Sequence, residues 1–443
     1  MKCLRLGLRA RAGLATAAAA LLAAGWSLPA QAATGPVSST PAAGTPQLAT
    51  TGSTEQVRQL VQCGGTMYAV GNFTEIQRFS TKYPRNNAFS FSAASPYAVT
   101  SWNPNVNGIV NSVAFSPDCS EAYLGGKFTS VNGTAATNIA EVSTSTGAVN
   151  AAFGHNAGGQ VESLLTYGTH LLTGGYFSSI NGSSANPYFT SLNAVTGKDD
   201  GFLHLSISGN YQFPGVATNP TRVYNQQLSH GGTLDLVEGD FTSVGGLPRQ
   251  QIFMLNLSGS TATVTPWTSA EFSQDCATVE PFYVKAASWS PNDATVYVGT
   301  TGYHPNGMPV GATPRTGLCD AAAAFPATQA TVAHLWVNYT GCDSLYSTAA
   351  DTSTAYFGGH QRWFNNPNDC DAAGPGAVSA PGMAGLNPAT GAITFNPTRD
   401  RGLGADDMLL TSAGLWIASD NLDGSNKCAG LSGYAGICFL PYG

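Results

Sequence analysis

The chain has 443 residues, 43% of them apolar and only 10% charged, with 52 glycines and 25 prolines. So small a charged fraction, against about 25% in a typical soluble protein, excludes coiled coils and charge-rich tails, and the apolar share excludes wholesale disorder. The formal charge is −7, or −11 once the four cations of the first 32 residues are set aside, so counterion release offers little and nucleic acid is not expected as a partner.

Residues 1–32 read as a secretory signal peptide. Lys2, Arg5, Arg9 and Arg11 precede an apolar run from Gly13 to Trp26, and Ala30-Gln31-Ala32 satisfies the small-x-small cleavage rule. The run also approaches spanning length, which keeps an uncleaved anchor as the alternative. No later stretch is long and apolar enough to span a bilayer, so the mature chain is expected to be secreted. Residues 33–53 are small, polar and proline-containing and read as a flexible N-terminal arm.

From residue 54 to 443 one pattern recurs. Its clear copies are YLGGKFTSVNG from Tyr123, LTGGYFSSING from Leu172, LVEGDFTSVGG from Leu236 and YAVGNFTEI from Tyr68. Weaker copies start at Tyr297, Tyr356 and Trp416. The position held by Phe in the strong copies recurs at 73, 128, 177, 241, 302, 361 and 421, a period that signals a propeller or solenoid. An apolar stretch precedes each motif and two short strands follow it. They are joined by turns such as Ser145–Gly147 and Asn387–Gly391. Helical periodicity is not evident. Seven units of four short strands predict an all-β, seven-bladed β-propeller with four-stranded antiparallel blades. In each motif the paired glycines let sheets approach closely or accommodate a bulge, and the aromatic fills space between blades. The seventh unit has only three strands, and residues 46–51 of the arm are expected to supply its fourth.

Setting Cys3 aside leaves eight cysteines with no Cys-x-x-Cys spacing, which in an exported chain predicts up to four disulfides. Positions within the units suggest 63–119, 276–342, 319–370 and 428–438, joining Cys63, Cys119, Cys276, Cys342, Cys319, Cys370, Cys428 and Cys438. Sequence alone leaves the connectivity open.

The GGxFTxVNG copies resemble the repeats of secreted bacterial propellers of the delta-60 type, abundant in actinobacteria. The last third carries the resemblance furthest, in GGHQRWFNNP from Gly358, GPGAVSAPGMAGLNPATG from Gly374 and GLWIASD from Gly414. It covers most of residues 54–443, although units five and seven depart from the glycine-aromatic pattern. The resemblance implies a fold and an extracellular setting, and it carries over no reaction and no catalytic residue.

Three sets of residues could carry chemistry on the face where the inner strands begin. The first is the acids Glu162, Asp275, Glu280, Asp343, Asp406 and Asp407. The second is the position between the glycines and the aromatic, held by Asn72, Lys127, Tyr176, Asp240, Thr301, His360 and Asp420. The third is the cluster His360, Arg362, Trp363, Asn365 and Asn366, faced by Tyr303 and His304. Trp stacks on sugar rings while Asn and Arg hydrogen-bond hydroxyls or a carboxylate, but the same cluster could be a structural knot beneath the Cys370 loop. Nucleophile-elbow, zinc-protease, phosphate-loop and dinucleotide motifs are missing. The expectation is a secreted, monomeric, noncatalytic binding module for carbohydrate. One alternative is a glycan-cleaving enzyme using two carboxylates among Glu162, Glu280 and Asp343. The other is an extracellular protein-interaction platform. No cofactor is expected, with calcium on the acidic ring the one exception the residue types allow.

Overall fold

The computed structural model describes residues 35–211, 219–273, 276, 281–303, 318–367, 369–399, 401–422 and 427–443. The leader, Asp275, Glu280 and His304 lie outside the described residues. Among the described residues the chain is all-β, with a single 3-10 turn at Ala270–Ser273.

Seven antiparallel meanders follow one another among the described residues. Their first strands are Gln56–Cys63, Ile109–Phe115, Ala157–Tyr167, Arg222–Leu228, Val284–Trp289, Leu345–Ala350 and Asp407–Thr411. The fourth, fifth and sixth meanders have four strands. In the first three the outermost strand shrinks to single bridges, Phe91 to Val99, Val142 to Val149 and Leu192 to Asp199. Each first strand packs against the first strand of the next meander, and Gln56–Cys63 packs against Asp407–Thr411 of the last. The arrangement is propeller-like.

Buried side chains form layers between successive sheets rather than one central core. Phe91 and Trp416 meet between the last meander and the first, and Tyr297, Trp336 and Phe357 between the fifth and sixth. The alanine run is a buried strand, Ala321–Pro326, whose small side chains fit between Tyr297 on one side and Val298 on the other. At the hairpin turns Gly147 and Gly391 take φ of 73° and 69°, which glycine adopts without steric cost.

The two motif glycines have separate jobs. A Cβ on the first would strike the next meander's inner strand, at 2.5 Å from Val161 for Gly125 and 2.6 Å from Val223 for Gly174. A Cβ on the second would strike the carbonyl of its own inner strand, at 2.1 Å from Ile109 O for Gly126 and 2.3 Å from Gln160 O for Gly175. That second contact is tight because the inner strand is bulged there. The ladder skips one residue between Val57 and Gln59, Val110 and Ser112, Val161 and Ser163, Val223 and Asn225, Val284 and Ala286, and Leu345 and Ser347.

The arm is docked, in contrast to the flexible segment its composition suggests. Val37, Leu48 and Ala49 are buried, because even this polar stretch carries enough apolar side chains to cover a sheet edge. Its placement also differs from expectation. Ser38 N donates to Pro441 O at 2.7 Å and Ala42 N to Phe439 O at 2.9 Å, so residues 38–42 lie along the last strand. Gln47–Leu48 instead pairs with Glu75–Arg78, in a small separate sheet inserted after the second strand of the first meander, while Leu48 N also donates to Ala435 O at 2.9 Å.

Four disulfides are present: Cys63–Cys119, Cys276–Cys319, Cys342–Cys370 and Cys428–Cys438. The expected pairs 276–342 and 319–370 are therefore replaced. Cys319, just ahead of the strand Ala321–Pro326, lies beside Cys276 and Phe282, with the two cysteine Cα atoms 5.6 Å apart. Cys342 and Cys370 have Cα atoms 4.6 Å apart. Both separations lie in the range a disulfide can bridge.

Candidate ligand site at the convergence of the inner strands

The residue skipped at each bulge points to one place. Arg58, Asn111, Glu162, Tyr224, Lys285 and Tyr346 are the six bulge residues, and all six line a single polar cavity with Asp406 and Asp407 of the seventh inner strand. Gln59, Ser112 and Asn225 complete its wall around a narrow cavity of about 50 Å³ that opens to solvent. Sites that enclose a whole small molecule occupy roughly 300–1,000 Å³, so this one takes part of a ligand rather than engulfing it. A bulge gives a strand an unpaired residue whose side chain it can re-aim, and here the device is repeated around the molecule.

The cavity is internally wired. Arg58 Nη1 donates to Asn111 Oδ1 at 2.9 Å, and Asn111 Nδ2 donates to Val161 O at 2.8 Å. Gln59 Oε1 accepts from Val113 N at 2.6 Å, and Asp407 Oδ2 accepts from Leu60 N at 2.9 Å. Lys285 pairs with Asp406, so the fifth and seventh inner strands are joined across the sixth, and its Nζ lies 5.5 Å from the Tyr346 ring centre. Glu162, whose side chain is 10% exposed, pairs with Arg222 at 3.3 Å. The Arg222 guanidinium sits over Tyr176 at 5.2 Å and Tyr224 at 5.3 Å.

Burial governs the titration of these acids. It pushes the Glu162 carboxyl up, and Arg222, Arg58 and Lys285 pull it back. It pushes Asp407 up to about 6, reinforced by the neighbouring Asp406. Asp240 is raised by burial to about 7 while accepting from Tyr211 N and Asn219 Nδ2; Asn219 Oδ1 in turn accepts from the Tyr224 hydroxyl at 2.7 Å. Asp240 therefore fixes a cavity tyrosine through one intermediate.

The sequence-derived candidates divide accordingly. Glu162 lines the cavity, and Tyr176 and Asp240 hold its rim through Arg222 and Asn219. Asp420 accepts from the backbone N–H groups of Leu403, Gly404 and Leu422, and so secures the loop that leads to Asp406. Asp343 does not face the cavity as a free carboxylate. Its side chain is 2% exposed and takes Arg362 through Nε at 2.8 Å and Nη2 at 3.0 Å, and Arg401 at 2.9 Å. Arg362 also reaches Asp371, which accepts from the Tyr303 hydroxyl at 3.0 Å, and Arg401 Nε donates to His360 O. Burial, then Arg401, lowers the His360 pKa. Trp363 packs beneath the Arg362 guanidinium at 4.7 Å, and Asn365 exchanges hydrogen bonds with Asn338. These residues form a knot around the Cys342–Cys370 loop.

Arg58, Asn111, Tyr224, Asn225, Lys285 and Tyr346 were missed from sequence. Their signal is a break in strand alternation. An apolar residue is followed by the cavity residue and a second polar or small one, as in Val57-Arg58-Gln59, Val161-Glu162-Ser163 and Val223-Tyr224-Asn225. Among the described residues, no three His, Cys, Asp or Glu side chains gather as a metal ion requires.

The sequence matches no family model and no curated protein. Among solved structures, U3-55K is similar over 91% of this chain and 100% of its own, at 10% identity and a TM-score of 0.47. The RRP9 WD40 repeats match over 91% of this chain and 99% of theirs, at 10% identity and 0.45. A computationally designed protein, Ika8, matches over 90% and 100%, at 8% identity and 0.44.

Proposed function

We propose that the chain is a secreted, monomeric, closed seven-bladed propeller of the delta-60-like group that binds carbohydrate, without cleaving it, in the cavity where its inner strands converge. The observation that carries this reading is the set of six bulge residues and Asp406 aimed into one polar space. The pairing between first and last meanders supports closure. The amides of Gln59, Asn111 and Asn225, the carboxylates and the hydroxyl-bearing Tyr224 and Tyr346 are the kinds of polar group that hydroxyl-rich rings engage. Four disulfides are compatible with an extracellular protein. Glu162 and Asp406 have cationic partners, which suits binding better than acid–base chemistry. One observation favours a catalytic second reading: Asp407 holds its proton to about pH 6 beside Asp406.

The test is a glycan array probed with the full chain, with and without calcium, followed by mass analysis of the recovered sugars. Intact bound sugars, lost in a folded Tyr346→Ala variant and retained in Trp363→Ala, are the expected result. Shortened sugars would transfer the assignment to the enzyme, and no binding to any glycan would overturn it.

A further inference from the structure

We infer that the ligand of the central cavity carries a carboxylate, as an acidic sugar of the uronate class does, and that Arg58 receives it. This rests on the proposed carbohydrate reading and adds the charge of the sugar. The cavity wall carries charged residues of both signs: Arg58, Lys285, Glu162, Asp406 and Asp407. Lys285 pairs with Asp406, and Glu162 pairs with Arg222 behind it. Asp407 accepts from Leu60 N and is influenced by Asp406 and Lys285. Among the described residues, Arg58 has no carboxylate within ion-pair distance. Its one hydrogen bond to a side chain goes to the neutral amide of Asn111, and its buried Nε meets no acceptor.

An arginine fork is built to grip a carboxylate through two parallel N–H donors, and on the half-buried Arg58 a buried N–H left without an acceptor is costly. A bound carboxylate answers both points. Tyr224, Asn225 and Tyr346 line the same cavity and would bound the rest of the sugar. The position of Arg58 at the first bulge means that no backbone change is needed to present it. The other bulge residues at equivalent places set the shape of the rest of the ligand.

The experiment is titration calorimetry on the full chain at fixed salt with matched pairs: glucuronate against glucose, galacturonate against galactose, each as mono- and trisaccharide. At least one acidic member should bind about tenfold or more tightly than its neutral partner. Arg58→Gln should erase that preference without lowering the melting temperature, and Arg58→Lys should restore part of it as a point charge. Equal binding of acidic and neutral partners, unaffected by Arg58→Gln, would overturn this inference and leave the carbohydrate reading standing. Failure of every sugar to bind would remove both. If Arg58→Gln does not fold, the acidic-to-neutral ratio on the unaltered chain still decides.

Discussion

The separate roles of the two motif glycines make a graded prediction in the second meander. In Gly126→Ala the new methyl would lie 2.1 Å from Ile109 O and 2.9 Å from Val110 Cα. Favourable carbon contacts occur at about 3.5–4.0 Å, so the backbone of the bulge itself must move. Overpacking costs typically 1–3 kcal/mol, and the upper end applies because the obstruction is main chain. Replacing glycine also stiffens the unfolded chain, which returns about 0.4–1 kcal/mol where the native conformation tolerates alanine. The net loss for Gly126→Ala is therefore about 2 kcal/mol or more. Gly125→Ala meets only the Val161 side chain, at 2.5 Å for Cγ1, and Leu164 atoms beyond 3 Å. Side chains can rotate away, so its cost is about 1–2 kcal/mol. Gly65→Ala has nothing within 4 Å and serves as the control, within about 0.5 kcal/mol of the parent. Urea denaturation followed by tryptophan fluorescence orders the three. A Gly126→Ala protein with the parent's midpoint and slope would show that the bulge is not as tight as described.

Other consequences can be checked independently. Peptide mapping without reduction should recover the 276–319 and 342–370 crosslinks, and either a 276–342 or a 319–370 crosslink would contradict the loop geometry. Removing residues 35–49 strips Val37 and Leu48 from their buried sites, at about 1.5–3 kcal/mol for each side chain, and uncovers the Ile437–Pro441 edge. An unchanged denaturation midpoint would mean that the arm contributes nothing. Asp407 keeps its proton to about pH 6 when folded and releases it near pH 4 when unfolded, so the native state binds more protons in that window and stability falls as pH rises through it. Asp407→Asn, which can still accept from Leu60 N, should gain about 1–3 kcal/mol over the parent above pH 6 and nothing below pH 4. A pH-independent difference would refute that account.

The propeller-like architecture was legible because the second motif glycine meets a carbonyl on or next to the inner strand in five of the meanders, at Gly71, Gly126, Gly175, Gly239 and Gly359. The glycine pair suggested either a close sheet approach or a bulge, and Gly125 and Gly126 divide those roles between them. Cys63–Cys119 and Cys428–Cys438 followed from unit position. The other two pairs did not, because which segments meet within a unit is a tertiary matter that spacing does not encode. The same limit applies to the site. Asp343 looked like a free acid at a strand start, but Arg362 and Arg401 come from segments 19 and 58 residues away to neutralise it. The cluster around Trp363 looked like a sugar platform because its residue types suit one, whereas Arg362 is engaged by Asp343 and Asp371 and Asn365 by Asn338. Arg58 and Lys285 drew no notice because a lone cation in a strand reads as solvent-facing until the bulge is seen to turn it inward.

The central claim is that the bulge residues form the binding site, and a crystal structure with the tightest-binding array sugar tests it most directly. The account predicts density for an intact sugar among Arg58, Asn111, Tyr224, Lys285 and Tyr346, with hydroxyls within hydrogen-bond distance of Asn111 or Asn225. Density for the sugar against the Trp363 loop or an outer strand, with the cavity holding none, would contradict it.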